Sequence, residues 1–156
     1  MKVYITMTGR SDWAVLNSLW AAIKEKNYVP EKVYILAENW NIARAEKVKE
    51  GIATLLREYV QNPEVIIVQT KIGDPIEART RVTEIIDKEK ENEIAVDITP
   101  GRKAAVTGAL VASASAKKNI KHIFYLYIET LENASKPYIM IPKSIQHFND
   151  FAEVKT

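Results

Sequence analysis

Glu93-Ile94-Ala95-Val96-Asp97-Ile98-Thr99-Pro100-Gly101-Arg102-Lys103 reads as a strand that turns into a helix within a few residues. The run Glu93–Thr99 is short and apolar, the pattern of a strand buried in a parallel sheet. Thr99-Pro100 then carries a capping hydroxyl and a proline suited to the first helical position. The helix it opens runs to about Lys118. Gly101, Ala105, Gly108, Ala112 and Ser115 make one side of it small, so that it can lie close to a sheet.

The same alternation repeats outward in both directions. Lys2–Thr8 is a strand, and from Ser11 the period becomes helical, with Leu16, Leu19, Trp20 and Ile23 on one face. Ser11 can cap that helix, with Asp12 at its positive end. Lys32–Ala37 is the second strand. A helix of roughly Ile42–Val60 follows, with Ala45, Val48, Ile52, Leu55 and Tyr59 as its core stripe. Glu64–Thr70 is the third strand. Asp74-Pro75-Ile76-Glu77 then starts a helix by three signals: a capping acid, a proline and an acid in the first turn. That helix ends near Lys90. His122–Glu129 is the fifth strand and Pro137–Pro142 a short sixth. Five strands separated by four helices require parallel pairing with right-handed crossovers. The fold class is therefore α/β, a Rossmann-like doubly wound, mainly parallel six-stranded sheet with an antiparallel edge strand and helices on both faces. Residues 1–142 form the domain, and residues 143–156 a tail, as a short helix, a lid or a linker.

Composition narrows the function classes. With 156 residues and 47% of them apolar, the chain suits one domain with a real core. It has no cysteine, which removes disulfide scaffolds, thiolate metal sites and cysteine nucleophiles and permits a cytoplasmic setting. No apolar run reaches membrane-span length. The net charge of +2 argues against bulk binding of duplex nucleic acid. No cofactor or metal is expected. His122 and His147 have no partners at ligand spacing, and Arg10, Arg102 and Lys103 already bring the positive charge that a cation near Asp12, Glu38 and Asp97 would add.

In open α/β sheets, ligands bind beyond the carboxyl ends of the strands. Here the loop after the fourth strand offers Thr99, Gly101, Arg102 and Lys103: a hydroxyl, a bare backbone in the first helical turn, and two cations. Backbone amides at a helix start bind phosphate well. The loop after the first strand repeats the theme with Gly9 in a tight turn, Arg10 and Ser11. Two such loops suit a ligand with more than one phosphate. The alternative is a well-capped helix with a solvated basic pair. A dinucleotide G-x-G-x-x-G is absent after the first strand. A P-loop fails because Val96 stands at the upstream glycine position and Arg102 precedes Lys103.

These two loops resemble the motifs of the CRISPR-associated Rossmann-fold family, the CARF domains. The second motif is the strand–Thr99-Pro100-Gly101-Arg102-Lys103–helix segment, and the first is Thr8-Gly9-Arg10-Ser11. The likeness spans about residues 1–142. Pro100 departs from it, since many members carry another small residue there. The resemblance implies a homodimer that binds a cyclic oligoadenylate, with tetraadenylate the expected ring, in type III CRISPR antiviral signalling. By position, Gly101, Arg102 and Lys103 would touch phosphate and ribose, with Gly9, Arg10 and Ser11 completing the cradle. Glu38, Asn39 and Trp40 would read or stack an adenine, the alternative for Trp40 being packing under the second helix.

Some members of the family are ring nucleases, in which a ribose 2′-hydroxyl attacks the adjacent phosphorus without a metal. In that case Lys103 would stabilise charge and Ser11 orient the linkage. Binding needs the same residue types, and the expectation is a sensor. A nucleic-acid-binding or partner-binding regulator on the same fold is the competitor, though no basic recognition helix is visible. Most family members carry a fused effector domain, and none is visible here. The chain therefore acts alone or is the sensory part of a longer protein.

Overall fold

The computed structural model describes residues 1–116 and 119–153. Its elements are β1 (Lys2–Met7), α1 (Asp12–Lys26), β2 (Lys32–Glu38), α2 (Ile42–Leu56), β3 (Glu64–Thr70), α3 (Pro75–Lys88), β4 (Glu93–Asp97), α4 (Lys103–Ser115), β5 (Ile120–Ile128), a short α5 (Leu131–Ala134) and β6 (Gln146–Asp150). The sheet order is β3-β2-β1-β4-β5-β6. β1 to β5 are parallel and β6 is antiparallel to β5. This is the doubly wound α/β architecture expected from the alternation of strands and helices.

The strand period of two divides the core between the faces. Val3, Ile5 and Met7 of β1 face α3 and α4, where Val82, Ile85, Ala105 and Ala109 meet them. Tyr4 faces the other way, toward Val15 and Leu19 of α1 and Ile52 and Leu56 of α2. A Cβ on Gly108 would fall 2.5 Å from the Pro75 carbonyl oxygen and 2.6 Å from the Arg79 amide. The small-residue side of α4 thus serves backbone-close contact with α3 as well as the approach to the sheet.

Three boundaries differ from the sequence reading. The sixth strand is Gln146–Asp150, not Pro137–Pro142, so the edge of the sheet is built from residues read as tail. Residues 138–140 form a 3-10 turn whose Tyr138 is buried against Trp20, with ring centroids 6.0 Å apart. The edge strand is fixed by Asp150, whose Oδ1 accepts from the Ile123 amide at 3.0 Å while Oδ2 lies 2.6 Å from His122 Nδ1. α2 stops at Leu56, where the chain tightens into a turn in which the Tyr59 and Val60 amides both donate to the Leu56 carbonyl. Tyr59 is therefore 40% exposed rather than part of the core stripe. α4 begins at Lys103 and ends at Ser115. The expected end near Lys118 lies outside the described residues.

Candidate functional site

β1 has β2 on one side and β4 on the other, so the chain order reverses between β1 and β4. Such a point leaves a crevice between the two outgoing loops. Here it is an open cleft of about 740 Å³. Arg10, Ser11 and Ala14 form one wall, Thr99 to Ala104 the other, and Glu38 and Gly73 close an end. Among the described residues the lining of the cleft holds three cations, Arg10, Arg102 and Lys103, and a single carboxylate, that of Glu38.

The first wall is held from below and from the side. Ser11 Oγ accepts from the Ala14 amide at 3.2 Å and so caps α1. Arg44, on α2, donates to the Gly9 carbonyl at 3.3 Å and sits 3.0 Å from Asp12 Oδ1. Gly9 is buried, and a Cβ there would stand 1.6 Å from the Pro100 carbonyl oxygen. Among the described residues only Asn27 and Gly73 have positive φ, at 51° and 67°. Gly9 therefore does not serve a left-handed backbone; it lets the two cleft loops touch backbone to backbone.

The second wall rests on Asp97, which is fully buried. Its Oδ2 accepts from Ser18 Oγ at 2.6 Å and Thr6 Oγ1 at 2.9 Å, and its Oδ1 from the Thr99 amide at 3.0 Å. Burial pushes the Asp97 carboxyl above its ordinary value, against the pull of the bonds from Ser18, Thr99 and Thr6. The buried Tyr4 hydroxyl is raised in turn, first by its own burial and then by the Asp97 charge.

Thr99 does not cap α4. Its Oγ1 accepts from the Leu126 amide of β5 at 2.9 Å, and the helix starts three residues later than the Thr99-Pro100 pair suggests. Gly101 therefore lies before the helix, not in its first turn. A Cβ on it would meet Met7 Sδ at 2.1 Å and Val106 Cγ2 at 2.8 Å, so its bareness serves packing against the molecule's own core. Arg102 occupies the N-cap position without any side-chain cap bond. Its guanidinium lies 5.6 Å from the Trp40 ring centroid, and its Nε 3.8 Å from Glu38 Oε1. The first amides of α4 are uncapped at the cleft. Arg10 and Lys103 have no ion-pair or hydrogen-bond partner among the described residues.

Of the residues read as a site, Arg10, Ser11, Glu38, Thr99, Pro100, Gly101, Arg102 and Lys103 line this cleft. Thr8 is buried, its hydroxyl directed to the Leu36 carbonyl at 3.5 Å. Gly9 lies behind the wall. Asn39 and Trp40 stand outside the cleft on a 3-10 turn, and Trp40 is 54% exposed, so it does not pack under α2. Gly73, Ala14 and Ala104 complete the lining without having been singled out. Arg44 and Asp97 shape the site from outside the cleft. Arg44 had no local signal, because its partners lie 32 and 35 positions away on the first loop. No group of three His, Asp or Glu residues among those described could hold a metal ion. No helix among them is long and apolar enough to cross a membrane.

Comparison with known proteins agrees with this architecture. Can2 from Sulfobacillus thermosulfidooxidans, solved in complex with cyclic tetra-adenylate, superposes with a TM-score of 0.59 at 20% identity, over 80% of this chain and 32% of that one. Csm6 from Enterococcus italicus, bound to cyclic hexa-2′-fluoro-hexa-dAMP, gives 0.59 at 14% identity, over 97% of this chain and 42% of that one. Protein VC1899 from Vibrio cholerae gives 0.60 at 9% identity, over 80% and 30%. The chain thus spans less than half the length of each. At these identities the likeness is one of fold, and at that level the CARF resemblance holds. Among curated proteins none matches the sequence significantly. The family described as HFX_2341_N:-like, N-terminal, matches residues 18–130, well over half of the chain, and the chain belongs to that family.

Proposed function

We propose that the chain is a receptor for a cyclic oligoadenylate, tetraadenylate first, bound across a homodimer in type III CRISPR antiviral signalling. The observation that carries this reading is the cleft, where Arg10 and Lys103, unpartnered among the described residues, line one crevice together with Arg102 and the uncapped start of α4. Cations and helix-start amides are the chemistry of phosphate recognition. A two-fold pair of clefts would present each of these groups twice, in keeping with a ring of repeated phosphates. Can2 and Csm6, which share the fold, were solved with a cyclic tetra-adenylate and a cyclic hexanucleotide analogue.

Calorimetric titration with cyclic tetra- and hexaadenylate tests the proposal, alongside light scattering for the dimer. Binding should weaken with salt and fall roughly tenfold or more in Lys103→Ala, as expected for loss of a charge-assisted phosphate contact. If neither ring binds the wild-type protein, the proposal is wrong. The same mixtures left in EDTA read turnover. Linear products with cyclic-phosphate ends would make the chain a ring nuclease, with Lys103 and Ser11 as the residues to test next.

A further inference from the structure

Among the described residues Glu38 is the one acid lining a cleft otherwise suited to anions, and it is only 6% exposed. A carboxylate there weakens phosphate binding, so its presence calls for a donor that it serves. Part of it is structural: Oε2 accepts from the Gly73 amide at 2.9 Å and fixes the turn before α3. Oε1 is different. The nearest charged group is Arg102 Nε at 3.8 Å, beyond hydrogen-bond reach, and no other partner exists among the described residues. Glu38 is largely buried, but Oε1 opens onto the cleft wall with acceptor capacity to spare, and a donor on a ligand can use it.

The neutral donors on a 3′,5′-linked cyclic oligoadenylate are the 2′-hydroxyl of each ribose and the exocyclic amine of each adenine. Position separates them. Glu38 is the last residue of β2, next to β1 at the switch point; dinucleotide-binding sheets set an acid against a ribose hydroxyl there, and the geometry is shared although their glycine fingerprint is absent from this chain. It lines the cleft with Arg10, Arg102 and Lys103, whereas the exposed Trp40 face that would take a base lies outside the cleft. We infer that Glu38 accepts a hydrogen bond from the 2′-hydroxyl of a ribonucleotide, and so makes the cleft selective for ribose over deoxyribose. This deepens the receptor reading and rests on it.

The test titrates the full chain with whichever cyclic oligoadenylate binds and with its 2′-fluoro counterpart, which keeps ring size, charge and sugar pucker but cannot donate. Wild type should bind the ribose ring roughly tenfold more tightly, as expected for a bond to a charged acceptor. Glu38→Gln keeps an oxygen for the Gly73 amide, and there the preference should shrink to about twofold, a change that a purely structural role would not produce. Equal binding of the two rings by wild type overturns the inference while leaving the receptor reading intact, and that comparison needs no variant. A preference undiminished in folded Glu38→Gln overturns it as well. If the ribose ring itself does not bind, the receptor reading fails and this inference falls with it.

Discussion

α3 and α4 lie side by side and start at the same edge of the sheet, yet one start is closed and the other open. Both use an aspartate that accepts from the amide two residues on. At α3, Asp74 takes the Ile76 and Glu77 amides, both at 3.0 Å, and the turn runs straight into the helix. At α4, Asp97 takes the Thr99 amide instead, and Pro100, Gly101 and Arg102 intervene before Lys103. The aspartate is thereby buried in the sheet and the helix start is left with cations alone. An acid at the first turn stabilises a helix, and a cation there does the reverse. The open start is therefore locally unfavourable and is held by what surrounds it, namely the Asp97 bonds, the Thr99–Leu126 bond and the Gly9–Pro100 contact.

The contrast can be broken most severely at Gly9. Gly9→Ala places a methyl against the Pro100 backbone, which no rotamer change can relieve, and should lower unfolding stability by about 3 kcal/mol in a denaturant titration. An unaltered midpoint would mean that the loops are not in contact. Asp97 gives a smaller, pH-dependent effect. Because its carboxyl is raised in the fold, the native state holds that proton more tightly than the unfolded chain. Its contribution is then most favourable in acid and is lost as pH rises from the ordinary value of 3.8 through the raised native one. Asp97→Asn, which retains an oxygen for the Thr99 amide, should accordingly gain stability relative to wild type as pH rises. A difference that stays flat from about pH 4 to 8 would refute the shift. The smallest effects sharpen the comparison by exchanging the two starts. Asp74→Ala should cost about 1 kcal/mol without altering ligand affinity. Arg102→Ser, which offers a cap at an extended N-cap residue (φ −75°, ψ 161°), should leave stability equal or raised by up to about 1 kcal/mol while anion binding weakens. Loss of stability in Arg102→Ser would show that α4 needs the arginine for its own sake.

The same pair shows what was legible in the sequence. Asp74-Pro75 and Thr99-Pro100 carry equivalent start signals, and only the first is a cap. The difference lies in Leu126, 27 residues beyond Thr99, whose amide claims the Thr99 hydroxyl. Local pattern cannot see such a competitor, and the reading of Gly101 as a first-turn glycine failed with it. Strand and helix alternation was legible because strands buried on both faces read as short continuous apolar runs, whereas the helices repeat their apolar residues with a period near 3.6. The edge strand was missed because Gln146–Asp150 is half polar, and its pairing is fixed by Asp150 and His122 rather than by an apolar run. The cleft itself was legible because strand ends in a parallel sheet fall at one edge, so that residues far apart in the chain become neighbours.

The backbone contact between Gly9 and Pro100 also bears on how a guest would be received. Two loops that meet this closely at Gly9 and Pro100 would resist swinging apart, which would hold the shape of the crevice. Little ordering entropy is then lost on association. Encounter would be governed by diffusion and charge rather than by waiting for a rare conformer.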